Sequence, residues 1–134
     1  MVLVPTTIIT TEMKAGGTGF GHVVRATRYT MQGLAAGLRN ESAFRQEAAL
    51  AAVLAPLAFW LGRSLAETAL LLFTLAFVLT TELLNSAIEA VVDLVSPEHN
   101  ELAGRAKDMG SAAVFISLAT VVLVWTLVAV DRFR

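Results

Sequence analysis

The fold is decided by the stretch Glu82-Leu83-Leu84-Asn85-Ser86-Ala87-Ile88-Glu89-Ala90-Val91-Val92-Asp93, which continues an apolar run from Thr68 to Thr81. At about 100° per residue, its polar members share one narrow face of an α-helix whose other faces are aliphatic. We call this face the acidic stripe; it consists of Glu82, Asn85, Glu89 and Asp93. Acids at membrane depth are costly and usually mark a functional site. The stripe therefore predicts a site, against the alternative of polar residues that only hold helices together.

The composition predicts an integral membrane protein. The chain has 134 residues, is 56% hydrophobic and 16% charged, and has a mean hydropathy of +0.69. That is too apolar for a soluble domain of this length. The net charge of −1 argues against a nucleic-acid-binding protein. The absence of cysteine excludes disulfides, thiolate metal sites and cysteine nucleophiles, which leaves carboxylates, amides and two histidines as possible metal ligands.

The N-terminal part predicts a mobile tail over 1–19, followed by one membrane-embedded domain over 20–134. The tail is rich in threonine and glycine, shows no sustained period and does not have the pattern of a signal peptide. From Phe20 to Leu38, apolar residues recur with a helical period and the arginines lie largely on the other side. This pattern is typical of a basic amphipathic helix in the membrane interface, although a helix packed on a neighbour stays an alternative.

Three apolar stretches predict three transmembrane helices. The first runs from about Phe44 to Gly62, after a short polar start that Asn40 could cap. The second runs from about Ala66 to Val95 and includes the acidic stripe. The third, from Met109 to Val130, has no charged residue and is long enough to cross a bilayer.

The distribution of charge predicts the orientation. Basic residues are concentrated before the first span and between the second and third, whereas the opposite side carries Arg63, Arg132 and Arg134. The positive-inside rule therefore places the N-terminus in the cytoplasm. Trp60 and Trp125 are expected to be anchors at the membrane interfaces.

This topology gathers polar residues on the cytoplasmic side. Glu41, the acidic stripe and the segment from Glu98 to Asp108 fall there, whereas the far side has only the carboxylates Glu67 and Asp131. Such an interface could hold a hydrophilic phosphate donor with its metal while an apolar acceptor approaches from the bilayer. A proton or ion relay is disfavoured because the far halves of the spans offer only serine and threonine hydroxyls.

Phosphoryl transfer needs neutralised phosphates, in-line positioning, a base for the attacking hydroxyl and exclusion of water. Glu41 and Glu89 could supply carboxylates to Mg²⁺. Glu82 lies about 10 Å deeper along the helix than Glu89 and is better placed to act as general base for a lipid hydroxyl. Lys107 is the natural phosphate contact, and its neighbour Asp108 either orients it or caps the third span. Because three thin helices cannot enclose a site, we expect self-association.

Three blocks resemble the prokaryotic integral-membrane diacylglycerol kinase family: Asn40–Glu47, Glu82–Asp93 and Gly104–Val114. The similarity extends from about Phe20 to the C-terminus. It implies a homotrimer in the bacterial cytoplasmic (inner) membrane, with three transmembrane helices and a surface helix per chain. It also implies active sites between neighbouring chains and Mg-ATP-dependent phosphorylation of diacylglycerol to phosphatidic acid.

The resemblance implies individual roles. Glu82 would be the catalytic base, supported by Asn85, and Glu41 and Glu89 would hold Mg²⁺. The nucleotide contacts would include Tyr29, Glu98, Lys107 and Asp108. The lipid contacts would include the surface helix together with Ala43, Phe44, Arg45, Gln46, Glu47 and Ser111.

The chain departs from the family pattern at two places. His22 stands where an arginine is common, and Arg25 or Arg28 could substitute for it. His99-Asn100 stands where a Tyr-His pair often follows the glutamate after the second span. Both positions bear on nucleotide affinity. Some relatives phosphorylate undecaprenol; the sequence is nearer to the diacylglycerol branch, and a non-enzymatic protein whose stripe sets helix packing is the alternative from another class.

Overall fold

The computed structural model describes residues 19–98 and 100–134, and the chain forms four α-helices within them. They are α1 (Phe20–Asn40), α2 (Ser42–Leu61), α3 (Leu65–Val95) and α4 (Glu101–Phe133). Helices α2, α3 and α4 are long and apolar enough to cross a membrane. The predicted all-α membrane fold with three such helices after an amphipathic helix is therefore confirmed. Residues 1–18 of the predicted tail, and His99, lie outside the described residues.

The described chain divides into two compact units, of which the first ends at Ala36 and the second comprises Gly37–Arg134. The first unit is most of α1. Gly19 has a positive φ of 100°, a conformation that glycine adopts without strain, and its carbonyl accepts a hydrogen bond from the His22 N–H at 3.0 Å. The helix has no acidic residue, and its large apolar side chains are exposed: Phe20, Val23, Val24, Met31 and Leu34.

The second unit is organised around α3, which packs extensively against α4 and less extensively against α2. The most apolar window of α3 is 33% buried, whereas that of α4 is 11% buried. Ala58, Leu61 and Leu71 form a core cluster that Val124, Trp125 and Val128 of α4 cover. Helix α4 therefore leaves most of its apolar surface for lipid or for other chains.

The junction between α1 and α2 differs from the prediction. Asn40 is the last residue of α1, and the N-cap of α2 is Glu41 in an extended conformation with no side-chain cap hydrogen bond. The predicted Asn40 cap is therefore wrong. Instead, Arg45 Nη1 donates to the carbonyl oxygens of Leu38 (3.4 Å) and Arg39 (3.1 Å). These carbonyls belong to the last turn of α1 and have no partner within the helix, so Arg45 closes that end.

The turn between α2 and α3 is short, and side chains stabilise it. Ser64 Oγ accepts from the Glu67 N–H at 3.1 Å, and Glu67 Oε2 accepts from the Arg63 N–H at 2.7 Å. This reciprocal pattern satisfies backbone donors at the start of α3. Arg63 Nη1 also donates to the Asp131 carbonyl at 2.9 Å and lies 3.3 Å from its carboxylate, which ties the turn to the end of α4.

Helix α4 begins earlier than the predicted third span. Asn100 is its N-cap, and Asn100 Oδ1 accepts from the backbone N–H groups of Leu102 (2.9 Å) and Ala103 (3.2 Å). The polar segment before Met109 is therefore the start of the same helix. Since Asp108 lies inside α4, the alternative in which Asp108 caps the third span is wrong.

Trp125 is a contact between helices, and its role as an interfacial anchor stays a prediction. Its indole Nε1 donates to Thr74 Oγ1 at 3.1 Å, and the hydroxyl of Thr74 donates to the Leu71 carbonyl at 2.7 Å. Thr74 is 2% exposed, so this bond joins α3 and α4 inside the bundle. Trp60, in contrast, is 57% exposed and lies near Arg132 and Phe133 at the end of the bundle.

Trp125→Phe keeps most of the aromatic volume and removes the donor to Thr74. We expect the free energy of unfolding to fall by about 0.6 kcal/mol for the lost hydrogen bond, a typical value between membrane helices. The measurement is a double-mutant cycle with Thr74→Val, by reversible unfolding in mixed micelles. Trp60→Phe is the control. A coupling energy of zero between Trp125 and Thr74 would show that the bond contributes nothing.

Candidate functional site

The acidic stripe forms a graded face of α3. Glu82 is 5% exposed and Asn85 is 9% exposed, Glu89 is half-buried, and Asp93 is exposed. Burial therefore decreases along the stripe, from the interior of the bundle to the end of α3 where the chain turns into α4. A group at the Glu82 position is shielded from water, whereas a hydrophilic molecule could reach Asp93.

Glu82 lies within electrostatic range of three other carboxylates. The negative charge of Glu82 is repelled by that of Glu89 on its own helix and by that of Glu41 at the start of α2. It is also repelled by the charge of Glu47 in α2. Glu47 Oε2 is buried and has no hydrogen-bond partner within the described residues. Like charges in a poorly solvated region repel strongly. The cluster is therefore suited to bind a cation or a proton.

Asn85 connects the stripe to α4. Its Nδ2 donates to Glu89 Oε1 at 3.2 Å. Its Oδ1 is buried without a hydrogen-bond partner among the described residues and faces Gly110, where a Cβ atom would collide with it. The amide is thus held between a carboxylate on its own helix and the bare backbone of the next helix.

Lys107 pairs with Asp93. Its Nζ lies 2.6 Å from Asp93 Oδ1, and the two side chains are 39% and 66% exposed. The side chain of Asp108, which the sequence pattern associated with Lys107, is exposed. The pair borders a groove of about 170 Å³ that Ser96, Glu98, Asn100 and Gly104 also line. This groove opens at the water-exposed end of the stripe.

The predicted lipid contacts differ in their exposure. Phe44 is 3% exposed and packs close to Gly37 and Leu83, so its ring is part of the helix packing in this chain. The other members of the set on α2 are exposed, except for the half-buried Glu47: Ala43, Arg45 and Gln46. Ser111 is exposed on α4, and Tyr29 is 63% exposed on α1.

The carboxylates of this region fit a magnesium ion that takes only some of its ligands from the protein. Within residues 19–98 and 100–134, no three acidic or histidine side chains lie close enough together to surround a metal. Mg²⁺ usually takes one or two protein carboxylates and completes its shell with phosphate oxygens and water. Glu41 and Glu89, the predicted ligands, match that pattern. Their assignment stays a prediction.

Sequence reasoning missed two residues of this region. Gly110 was not singled out, although a glycine inside an apolar helix weakens the helix and often marks a close approach. Asp93 was predicted only as a member of the acidic stripe, and its pairing with Lys107 was not expected. Its position on the stripe was visible, but the packing of α3 against α4 that brings Lys107 to it was not.

Comparison with known proteins places this architecture in a family. A family model described as prokaryotic diacylglycerol kinase matches residues 28–129. Diacylglycerol kinase from Haemophilus influenzae is 49% identical over 108 residues, covering 81% of this chain and 92% of the relative. The Pseudomonas aeruginosa enzyme is 47% identical over 110 residues (82% and 89%), and the Escherichia coli enzyme is 43% identical over 116 residues (87% and 95%).

Glu82→Gln removes one charge from the repelling cluster and keeps the size of the side chain. We expect the free energy of unfolding to rise by about 0.5–2 kcal/mol, since sites built for function are often not optimised for stability. The measurement is reversible unfolding in mixed micelles at neutral pH. Glu101→Gln, at an exposed position of α4, is the matched control and should change stability by less than about 0.5 kcal/mol. A loss of stability in Glu82→Gln would mean that the carboxylate stabilises the fold.

Proposed function

The chain belongs to the prokaryotic diacylglycerol kinase family, and we propose that it transfers the γ-phosphate of Mg-ATP to the free hydroxyl of diacylglycerol. The product is phosphatidic acid. The observation that carries this proposal is the graded burial of the acidic stripe, from the buried Glu82 to the exposed Asp93. Such a gradient lets one site meet an apolar acceptor and a hydrophilic donor.

The donor end uses the groove beside Lys107. Lys107 contacts the phosphates of the nucleotide, and the neighbouring groups Glu98 and Asp108 contact its other parts, as does Tyr29. Glu41 and Glu89 hold the magnesium ion. When bound, that ion neutralises phosphate charge and aligns the γ-phosphate for in-line transfer. The support for this placement is the open groove at Lys107 and the nearby carboxylates of the stripe.

The acceptor end uses Glu82. The oxygen of the lipid hydroxyl attacks the γ-phosphorus, the bond from that phosphorus to the bridging oxygen of ADP breaks, and the hydroxyl proton passes to the Glu82 carboxylate. Asn85 supports this arrangement by orienting the stripe. The burial of Glu82 supports the proposal, because a shielded base accepts a proton from the lipid without activating water.

The lipid approaches from the bilayer. An apolar groove between α2, α3 and α4 is lined by Glu47 and by aliphatic residues, among them Leu54, Val78 and Leu118. Glu47 therefore stands where a polar glycerol backbone would meet acyl chains. The proposed lipid contacts also include four exposed residues: Ala43, Arg45 and Gln46 on α2, and Ser111 on α4.

The assembly is a homotrimer with sites between chains, in the bacterial cytoplasmic (inner) membrane with the N-terminus in the cytoplasm. The low burial of the apolar window of α4 supports association, since three helices leave its surface uncovered. The concentration of arginine and lysine before α2 and between α3 and α4 supports the orientation.

Glu82→Gln should reduce kcat by at least about 100-fold, because it removes a general base while keeping side-chain volume. The measurement is transfer of labelled γ-phosphate from Mg-ATP to diacylglycerol in mixed micelles, with undecaprenol offered in a parallel reaction. Asp131→Asn, at the opposite end of α4, is the control and should keep wild-type kcat. Product mainly from undecaprenol would mean that undecaprenol, and not diacylglycerol, is the acceptor. No product from either lipid with folded wild-type protein would leave the stripe as a packing device.

Lys107→Met should raise the KM for Mg-ATP by at least about tenfold, because a charge-assisted contact to phosphate is lost. The KM for diacylglycerol should not change. Arg105→Met, which removes an exposed cation from the same helix, is the matched control. Equal effects of the two variants would mean that only the general positive charge of this segment matters.

A further inference from the structure

We propose that Gly110 is a positioning residue for phosphoryl transfer, which acts by letting α4 close on the Asn85 amide so that this amide holds Glu89. The inference rests on the proposed function, in which Glu89 carries the magnesium ion of the nucleotide. Gly110 itself touches neither substrate. Its contribution is the space where a side chain would be.

The contact of Gly110 is specific to one side chain. A Cβ atom added at Gly110 would collide with Asn85 Oδ1, and would lie 3.2 Å from Asn85 Cγ and 3.8 Å from its Cβ. Asn85 is 9% exposed and sits in the interior of α3, so the amide has little room to move away. A methyl group at position 110 would therefore act on Asn85 before it acts on any other residue.

The orientation of the Asn85 amide matters because its nitrogen already makes a hydrogen bond. Asn85 Nδ2 donates to Glu89 Oε1 at 3.2 Å. Asn85 Oδ1 has no hydrogen-bond partner within the described residues, and the Cα–H group of Gly110 is the kind of weak donor found where helices approach closely. Pushing Oδ1 away turns the whole amide, since its oxygen and nitrogen are rigidly joined. The bond to Glu89 is then lost or lengthened.

Other helical glycines do not share this contact. A Cβ atom added at Gly104, on the same helix, would have nothing within 4 Å, and the nearest atoms to one added at Gly37 belong to the apolar side chains of Leu83 and Phe44. Because glycine is a poorer helix former than alanine, a glycine inside α4 needs a reason. For Gly110, that reason is a polar group of the proposed site.

The first test compares Gly110→Ala with Val130→Ile, which adds one methyl group at an exposed position of the same helix, in the full chain in mixed micelles. We expect Gly110→Ala to lower kcat/KM for Mg-ATP by at least about tenfold, as small displacements of catalytic groups do, with the KM for diacylglycerol unchanged. Val130→Ile should stay within about twofold of wild type, since Val130 is 57% exposed and lies near the end of α4 that is away from the stripe. Equal activity in the two variants would overturn the proposal.

The second test separates positioning from packing. Manganese(II) serves as a paramagnetic probe, and its affinity in the presence of a non-hydrolysable ATP analogue is measured by electron paramagnetic resonance. Gly110→Ala should weaken this affinity at least about fivefold, and Val130→Ile should not. In an Asn85→Ala background the added methyl group has room, so Gly110→Ala should cause no further loss there. A loss that adds in full would mean that Gly110 serves packing alone.

These measurements keep the two proposals apart. If wild-type protein phosphorylates no lipid, the proposed function fails, but the manganese affinities still report whether Gly110 acts through Asn85. If Gly110→Ala does not fold, the Asn85→Ala/Gly110→Ala variant replaces it. Its manganese affinity should equal that of Asn85→Ala, and a lower affinity would overturn the positioning role.

Discussion

The rest of the structure depends on the cost of placing carboxylates inside an apolar helix bundle. Glu82 is almost fully buried, within electrostatic range of Glu41, Glu47 and Glu89. Separating such charges from water costs several kcal/mol per ion unless partners compensate. A chain of this length has few groups that could compensate. Besides the pairing of Lys107 with Asp93, its helices are therefore held together by contacts away from the stripe.

Those contacts lie toward the other end of the bundle. Trp125 bonds to Thr74 between α3 and α4, next to the apolar cluster around Leu71, and Arg63 ties the α2–α3 turn to Asp131. Polar groups in these positions satisfy each other, whereas buried acceptors near the stripe, such as Asn85 Oδ1, have no hydrogen-bond partner in the described chain. The buried acceptors without a partner in the described chain, Glu47 Oε2 and Asn85 Oδ1, thus lie at the proposed site and not at the other end of the bundle.

The sequence was sufficient for the features that depend on one helix. The period of the stripe, the apolar lengths of the spans and the ends of the first two spans near Gly62 and Val95 are local, and all are found in the structure. It was insufficient where two helices meet. The pairing of Lys107 with Asp93, the bond of Trp125 and the contact of Gly110 depend on how α4 is rotated against α3. The prediction that Asn40 caps α2 was wrong for another reason. Arg45 closes the end of α1, so this helix can continue through Asn40.

Asn100 caps α4 and also lines the groove beside Lys107. Its Oδ1 accepts two backbone N–H groups at the start of α4, so only its amide nitrogen is available to a ligand in the adjoining groove. A histidine at this position, common in relatives by resemblance, offers ring nitrogens and would cap less well. The asparagine therefore stabilises the first turn of α4, which carries Lys107 two turns later. The cap thereby fixes the position of Lys107 relative to the groove.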